Sequence, residues 1–262
     1  MYQFVDTQPT SDTGGTSLSL QTVFDGKNLD ELLTDETGRF VTLSVGGRGI
    51  LNRRLDLVQM PGAHGSRVKD VTYDVREIPV KFLIADATNE GLRERFNRLN
   101  GYLKGNEKRL EFTDENAHFI ATLSGANIPD EDSNSLICTM TFTCADSAKR
   151  MNEKTIDVTT ANTTHNVTGQ DSAPWEINLT LAQDTNKFEL ETNSGLYILL
   201  GYEFIEGDRV TIKYEGREVW LNDDRDLRFA IRLASNYELL EPGPLVVKAS
   251  HACQLKYDER LY

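Results

Sequence analysis

Three acidic side chains that lie close together could carry out acid–base chemistry. Glu111, Asp114 and Glu115 fall within the stretch Lys108–Gly125, KRLEFTDENAHFIATLSG. Glycoside hydrolysis needs two carboxylates held at a defined separation across a cleft, one of them with a raised pKa. The letters TDEN have the composition of a turn, so these carboxylates are predicted to point into water at the bend of a sheet. We therefore predict no catalytic residue and no enzyme activity.

Metal-binding patterns are also missing from the sequence. The four histidines lie far apart and form neither HxH nor HExxH: His64, His118, His165 and His251. The loop Asn222–Asp226, NDDRD, offers oxygen ligands but lacks the glycine and the distant glutamate of an EF-hand loop. Cys138, Cys144 and Cys253 form neither a CxxC pattern nor an even disulfide set, which favours buried thiols in a reducing cytoplasm. We predict no bound metal and no cofactor.

Two glycine-rich stretches resemble phosphate-binding or nucleophile motifs only superficially. GGRGI, Gly46–Ile50, lacks the GK[ST] of a P-loop, and PGAHGS, Pro61–Ser66, is no GxSxG elbow. Both are interpreted as flexible backbone. Three N-x-[ST] sequons begin at Asn162, Asn166 and Asn178, and we assign them no function because no signal peptide precedes them.

Composition indicates a folded, acidic protein. The chain has 262 residues, 39% hydrophobic and 26% charged, with a formal net charge of −13. No stretch of lysine and arginine is long enough to neutralise a nucleic-acid backbone, so specific nucleic-acid binding is not expected. The first residues lack the pattern of a signal peptide, and no segment is long and apolar enough to span a bilayer. The length favours two domains.

Alternating hydrophobic residues predict a mainly β protein. In VTYDVREIPVKFLI, Val71, Tyr73 and Val75 alternate, and Ile78 then begins a second alternating series that ends at Ile84. Pro79 in this segment indicates a sheet edge or a bulge. The run LICTMTFTC predicts a strand whose buried face is formed by Leu136, Cys138, Met140, Phe142 and Cys144.

One segment predicts a helix, over about residues 89–104. Leu92, Phe96, Leu99 and Leu103 recur at spacings of four, three and four, which gives a single apolar stripe for packing on a sheet. Thr88 or Asn89 can cap its start, Gly105 can end it, and Glu94 and Arg98 can form an ion pair.

A change of composition predicts a domain boundary near Arg150. Residues 155–172 are rich in threonine and asparagine, which suits a linker or a short edge strand. Short alternating segments follow, including WEINLTLA with Trp175, Ile177, Leu179 and Leu181 on one face, and a hairpin that turns at Glu215 and Gly216. We predict an N-terminal domain, 1–150, and a C-terminal β-sandwich, 151–262.

The stretch between these strands predicts an extended arm. Residues 43–72 contain five glycines and are less regularly patterned than their neighbours, which favours a long hairpin leaving the first domain. We predict that Leu43–Thr72 is a contact region between subunits.

Taken in order, these motifs resemble the distal tail protein (Dit) family of siphophages, the phages with long, non-contractile tails. The resemblance spans nearly the whole chain and rests on VFDGKNL, the glycine-rich arm, REIPVKFLI, the helix ending in RLNGYLKG, LEFTDENAHFIATLSG, CTMTFTCAD and APWEINL. The fold that it implies is a β-sandwich-like ring domain with one helix and an arm, followed by a galectin-like β-sandwich.

The resemblance also implies a function. Members of this family are structural virion proteins, so we expect a homo-hexamer in the virion tail tip or baseplate, assembled in the host cytoplasm, with a central channel for DNA. The expected partners are the tail tube protein, tail-tip or tail-associated proteins, and receptor-binding or baseplate proteins, with no membrane. An acidic chain suits such a channel because few cationic side chains are available to grip the duplex.

A carbohydrate-binding module, or lectin-like adhesion protein, is the alternative. In that case exposed aromatic side chains of the second sandwich would stack on sugar rings, with Trp220, Tyr202 and Tyr237 as the candidates.

Overall fold

The structure is a computed structural model that describes residues 20–62 and 64–262. Its first ten strands are β1 (Thr22–Phe24), β2 (Lys27–Asn28), β3 (Gly38–Val45), β4 (Arg53–Gln59), β5 (Ser66–Tyr73), β6 (Arg76–Asp86), β7 (Lys108–Phe112), β8 (Ala117–Asn127), β9 (Ser135–Cys144) and β10 (Lys149–Val158). The remaining strands are β11 (Thr163–Val167), β12 (Trp175–Thr180), β13 (Thr185–Thr192), β14 (Tyr197–Phe204), β15 (Arg209–Lys213), β16 (Val219–Leu221), β17 (Arg225–Asp226), β18 (Gly243–Ala249) and β19 (Cys253–Leu261). The helices are α1 (Leu29–Leu32), α2 (Asn89–Tyr102) and the 3₁₀ turns Glu215–Arg217 and Arg228–Ala230. The prediction of a mainly β fold is confirmed.

The N-terminal strands surround one hydrophobic core. Strands β3, β6, β9 and the second half of β8 pair in that order, while the first half of β8 continues the ladder through β7, β1 and β2. One long strand therefore belongs to both sheets. The alternating face of β9 is buried as predicted, from Leu136 to Cys144, and packs with Phe24, Phe40 and Phe119.

Helix α2 has the predicted position and cap. The hydroxyl of Thr88 accepts a hydrogen bond from the backbone N–H of Gly91 at 3.0 Å, and Leu92 and Leu99 are buried. The predicted ion pair between Glu94 and Arg98 is absent from the residues described. Arg98 instead approaches a carboxylate oxygen of Asp35 at 3.4 Å, because it faces the loop before β3.

A buried arginine on the apolar stripe of α2 was not predicted. The Arg95 side chain is 2% exposed and lies 2.7 Å from Asp86 and 2.9 Å from Asp35. Its hydrogen bonds hold the pKa of both carboxyl groups below their ordinary values, and that of Asp35 falls far below. Arg95 therefore joins α2 to the end of β6 and to the loop that leads into β3.

The segment around Tyr73 corrects one prediction. Val71, Tyr73 and Val75 are 41–50% exposed and do not belong to the buried strand that begins at Arg76. The physical reason is that β5 pairs only with β4, away from the core. Pro79 lies inside β6, and its carbonyl accepts from the N–H of Gly46 just beyond the last paired residue of β3, so its missing N–H faces the end of that strand.

The C-terminal strands form a sandwich. Strands β10, β19, β12, β15, β16 and β17 make one sheet and β11, β18, β13 and β14 the other, with a hydrophobic core between them. Trp175, Ile177, Leu179 and Leu181 are all buried, as the alternation predicts. The turn at Glu215 and Gly216 also has the predicted position.

The predicted boundary falls inside a strand. Arg150 of β10 pairs with His118 of β8 on one side and with Arg260 of β19 on the other, so β10 connects the two sets of strands. Of the two alternatives for residues 155–172, the edge strand is correct, because β11 pairs only with β18. The division at 150/151 stays a prediction.

Candidate functional site: an exposed hairpin arm and its root

Strands β4 and β5 form a two-stranded hairpin whose two faces differ. We call Arg53–Tyr73 the arm; it lies within the predicted arm region apart from its last residue. The cross-strand pairs Leu55–Val71 and Leu57–Val68 lie on the same face, which continues to the pair Arg53–Tyr73. The apolar side chains of this face are 41–55% exposed: Leu55, Leu57, Val68, Val71 and Tyr73. They form an apolar stripe that stays about half-exposed among the residues that the structure describes.

The opposite face of the arm is mainly polar. Asp56 pairs across the strands with Asp70, and its carboxylate lies 3.3 Å from the ammonium of Lys69. Arg54 reaches Asp74 at 3.1 Å. Such exposed pairs contribute little stability, about 0–1 kcal/mol each. The arm is therefore amphipathic: its polar face is suited to contact with water, and its apolar face is not.

Buried Arg76 is the first residue of β6, shortly after the arm, and it holds the segment that precedes the arm. Its Nη1 donates to the carbonyl of Gly47 at 2.8 Å, and its Nε donates to the carbonyl of Ser147 at 2.9 Å. Burial lowers the pKa of this guanidinium, which also lies 5.4 Å from the ring centre of Phe119. Gly47 has a φ of +74°, and an added Cβ would meet the carbonyl oxygen of Glu77, so a side chain cannot be accommodated there.

The acidic turn considered for catalysis holds the segment that leads from β3 to the arm. Asp114 accepts a bidentate pair of hydrogen bonds from Arg48 at 2.7 and 2.8 Å, and Glu115 lies 3.2 Å from Arg48 and 2.8 Å from Lys149. The hydrogen bond from Arg48 lowers the pKa of Asp114. The expectation that these acids simply point into water is therefore incomplete, and the GGRGI stretch is held rather than flexible. Glu111 pairs separately with Arg109 at 2.8 Å.

The end of the chain closes the root of the arm. The ring of Tyr73 stacks on that of Tyr262, with centroids 4.1 Å apart and planes 15° from parallel. The hydroxyl of Tyr262 donates to Asp171, and burial together with this bond raises its pKa to about 12. The arm therefore contacts the C-terminal sandwich as well as the N-terminal core.

Ion pairs beside β10 join the two sets of strands. Asp146 lies 3.0 Å from Arg150 and 2.6 Å from Arg260. His118 is buried next to Asp258, with Nε2 3.8 Å from the carboxylate, and its Nδ1 has no hydrogen-bond partner. Burial lowers the pKa of His118 to about 4 and raises the pKa of Asp258. These contacts hold the sandwich strands β10 and β19 against β8 of the N-terminal set.

The aromatic residues proposed for sugar stacking all have partners in the fold. Trp220 is half-buried and donates from Nε1 to Glu218 at 3.0 Å. Tyr237 stacks on Trp175, with centroids 5.5 Å apart, and burial raises its pKa to about 12. Tyr202 lies between Phe204 and Phe229. Among the ring contacts of the described residues, none joins two of these three side chains, so they do not form one surface for stacking.

The remaining candidates for chemistry are dispersed. Burial raises the pKa of Cys144 to about 11 and of Cys253 to about 12, which leaves both thiols protonated and unreactive. In NDDRD, Asp223 pairs with Arg209 and Asp226 with Arg228. Within residues 20–62 and 64–262, no group of three or more histidine, cysteine, aspartate or glutamate side chains could hold a metal ion. The same residues include no helix long and apolar enough to cross a membrane.

Sequence reasoning missed three residues of this site: Arg48, Arg76 and Tyr262. Arg48 lies within GGRGI and Arg76 begins β6, and neither belongs to a recognised motif, so only the fold reveals what they hold. The apolar face of the arm was detectable, because Leu55 and Leu57 alternate with arginine and aspartate.

Comparison with known proteins agrees with this architecture. Residues 27–144 match the phage tail protein RIFT-related domain, and residues 168–261 match the siphovirus-type tail component, C-terminal domain. The distal tail protein of Bacillus phage SPP1 is 26% identical over 227 residues, covering 84% of this chain and 87% of the relative.

Solved structures share the fold. The crystal structure of the SPP1 Dit protein, described as a paradigm of the hub adsorption apparatus of phages that infect Gram-positive bacteria, aligns with a TM-score of 0.77 at 21% identity, over 93% of this chain and 99% of that one. A chain of the phage P2 baseplate in its activated conformation aligns with a TM-score of 0.59 at 9% identity, over 84% and 90% of the two chains. The two matched domains together span about four fifths of the sequence, and the chain belongs to the distal tail protein (Dit) family of siphophages.

Proposed function

We propose that this protein is a structural hub of a siphophage tail. Six copies close into a ring at the virion tail tip or baseplate, around a central channel through which DNA passes. The N-terminal domain, 1–150, forms the ring, and the galectin-like C-terminal domain, 151–262, faces outward. The ring joins the tail tube protein to tail-tip proteins and to receptor-binding or baseplate proteins. The virion is assembled in the host cytoplasm.

The uncovered apolar face of the arm is the observation that carries this proposal. A two-stranded hairpin is marginally stable by itself in water, and this one exposes its apolar side chains as well as its polar ones. Completing the burial of half-exposed leucine and valine side chains contributes about 1 kcal/mol each. In a ring, every copy has a neighbouring subunit that can cover this apolar face.

A second apolar surface can receive the arm of a neighbour. Val41, Leu83 and Ile137 are directly paired across β3, β6 and β9, on the face of that sheet opposite the core. Ile137 is 52% exposed, and nearby Leu43 is 43% exposed. An arm on one side and this sheet face on another give each subunit two different contacts. Head-to-tail contacts of that kind generate a ring when their rotation closes.

The decisive test is mass in solution combined with substitution of the apolar face. Light scattering after size-exclusion chromatography should give six times the chain mass, and negative-stain images should contain rings. The triple variant Leu55→Ser, Leu57→Ser and Val71→Ser should remain folded and have the mass of a single chain in the same measurement. Substitution is preferable to deleting Gly46–Gly65, because that deletion removes the Gly47 carbonyl that holds Arg76.

The matched control is Val58→Ser. Val58 is 44% exposed on the same hairpin but pairs with Arg67 on the opposite, polar face. This variant should still form rings. A wild-type protein that stays monomeric at high concentration would overturn the ring, whereas rings formed by the triple variant would overturn only the role of the arm.

A further inference from the structure

An apolar surface of the C-terminal sandwich lies far along the chain from the arm. Strand β14 is the edge of its sheet, and residues 228–236 cross this edge through the bridges Leu200–Ile231 and Tyr197–Asn236. This crossing segment carries Phe229, 68% exposed, and Leu233, fully exposed. We define the β14 patch as Tyr202, Arg225, Phe229, Arg232 and Leu233.

The aromatic part of the patch is held in place. The ring of Tyr202 meets those of Phe204 and Phe229 edge-on, with centroids 5.1 and 6.2 Å away. Arg225 donates to the Tyr202 hydroxyl at 2.7 Å, and its guanidinium lies 5.3 Å from the ring centre. Because these side chains are already ordered, a partner would lose little conformational entropy in contacting them.

The two arginines of the patch lack acidic partners. Arg232 donates to the carbonyl of Gly201 at 3.2 Å, and Arg225 bonds only to Tyr202. Neither takes part in any ion pair of the described chain, although Arg228 between them pairs with Asp226. Two guanidinium groups that have no carboxylate partner among the described residues therefore lie beside exposed apolar side chains.

We infer that the β14 patch binds a protein segment that carries carboxylates next to aromatic or aliphatic side chains. Arginine binds carboxylates in bidentate geometry, and arginine together with aromatic residues supplies most of the energy at protein interfaces. Phe229 and Leu233 provide the apolar anchors, and Arg225 and Arg232 fix orientation. The inference rests on the proposed hub role, in which the segment belongs to another tail protein.

Synthetic peptides test this chemistry directly. The probe is a short peptide that alternates glutamate with leucine and tryptophan. One comparison peptide replaces the apolar residues by serine, and another replaces glutamate by lysine. Binding to the full-length protein is measured by fluorescence anisotropy at low and at physiological salt. We expect binding of the first peptide only, weaker at the higher salt because ions screen the arginine–carboxylate attraction.

Variants locate the binding. Arg225→Gln with Arg232→Gln, and separately Phe229→Ser, should each weaken the probe at least about tenfold. Arg209→Gln is the matched control, because Arg209 is an exposed arginine of the same sandwich that is already paired with Asp223. It should leave the affinity unchanged. Amide NMR shifts should concentrate at residues 202, 225 and 229–233.

Several outcomes would overturn the inference. Equal binding of all three peptides, or an unchanged affinity in the patch variants, would exclude a specific acidic and apolar partner. Self-association lost in Phe229→Ser would assign the patch to a second copy of this chain, and binding of an oligosaccharide panel lost in that variant would assign it to sugars. Ring mass is measured on the same samples, so failure of the patch and failure of the hexamer are distinguishable.

Discussion

The arm and the hairpin of β15 and β16 share one sequence pattern and differ in what covers it. In the β15–β16 hairpin the alternating side chains Val210, Ile212, Val219 and Leu221 are 0–6% exposed, packed in the sandwich core. The corresponding face of the arm is 41–55% exposed. Alternation specifies that a strand has an apolar face, but the covering surface is specified by residues elsewhere. For the arm that surface is absent from the described part of its own chain.

The largest effect on stability should come from shortening one side chain of the buried β15–β16 hairpin. Replacing Ile212 by Ala removes a fully buried side chain between two sheets and should lower the free energy of unfolding by about 3–4 kcal/mol. Urea denaturation followed by tryptophan fluorescence measures this loss. A loss below about 1 kcal/mol would mean that the site collapses freely, and that the two hairpins do not differ as the structure indicates.

An intermediate effect is expected at the root of the arm. Arg76→Met keeps the bulk of the side chain but removes the donors to the carbonyls of Gly47 and Ser147. Hydrogen bonds from a charged donor contribute about 1.5–3 kcal/mol each. Methionine avoids the desolvation cost of a buried cation, which offsets part of their loss. We therefore expect the free energy of unfolding to fall by about 1–2 kcal/mol.

The effect of Arg76→Met should be local. Hydrogen exchange should accelerate in β4 and β5 about tenfold, while exchange in β12 and β15 stays at the wild-type rate. Acceleration spread evenly over both regions would contradict a specific role of Arg76 in holding the arm.

Local pattern was sufficient for the strands, the helix and its cap, because each depends on neighbours in sequence. The misassigned strand near Tyr73 carried a signal: the apolar positions change from odd, at Val71 and Val75, to even, at Ile78. The parity of the apolar positions changes only at a bulge or at a break between strands, and here β5 ends at Tyr73. Arg95 was also detectable, since it lies three residues after Leu92 and four before Leu99 on the apolar stripe.

The contacts at the root of the arm were beyond the sequence. Arg48 and Asp114 are 66 residues apart, and Tyr73 meets Tyr262, which follows it by more than half of the sequence. Nothing in the composition of either partner identifies the other. Such pairs exist only once the sheets bring their ends together, which is why the acidic turn could be placed at a bend but not assigned a partner.

The smallest effect should come from the arm itself. Leu57→Ala removes a side chain that is 53% exposed, so the unfolding free energy of the single chain should change by no more than about 0.5 kcal/mol. Denaturation at a concentration low enough to dissociate any ring measures this value, with Ile212→Ala as the reference. A loss of about 2 kcal/mol or more in the dissociated chain would mean that the apolar face already packs within its own subunit. The same substitution should have a larger effect once subunits associate, because only the assembled state buries Leu57. The concentration at which rings dissociate should therefore rise while the stability of the single chain stays the same. Ile212→Ala cannot separate these two quantities, because it lowers the stability of the single chain itself.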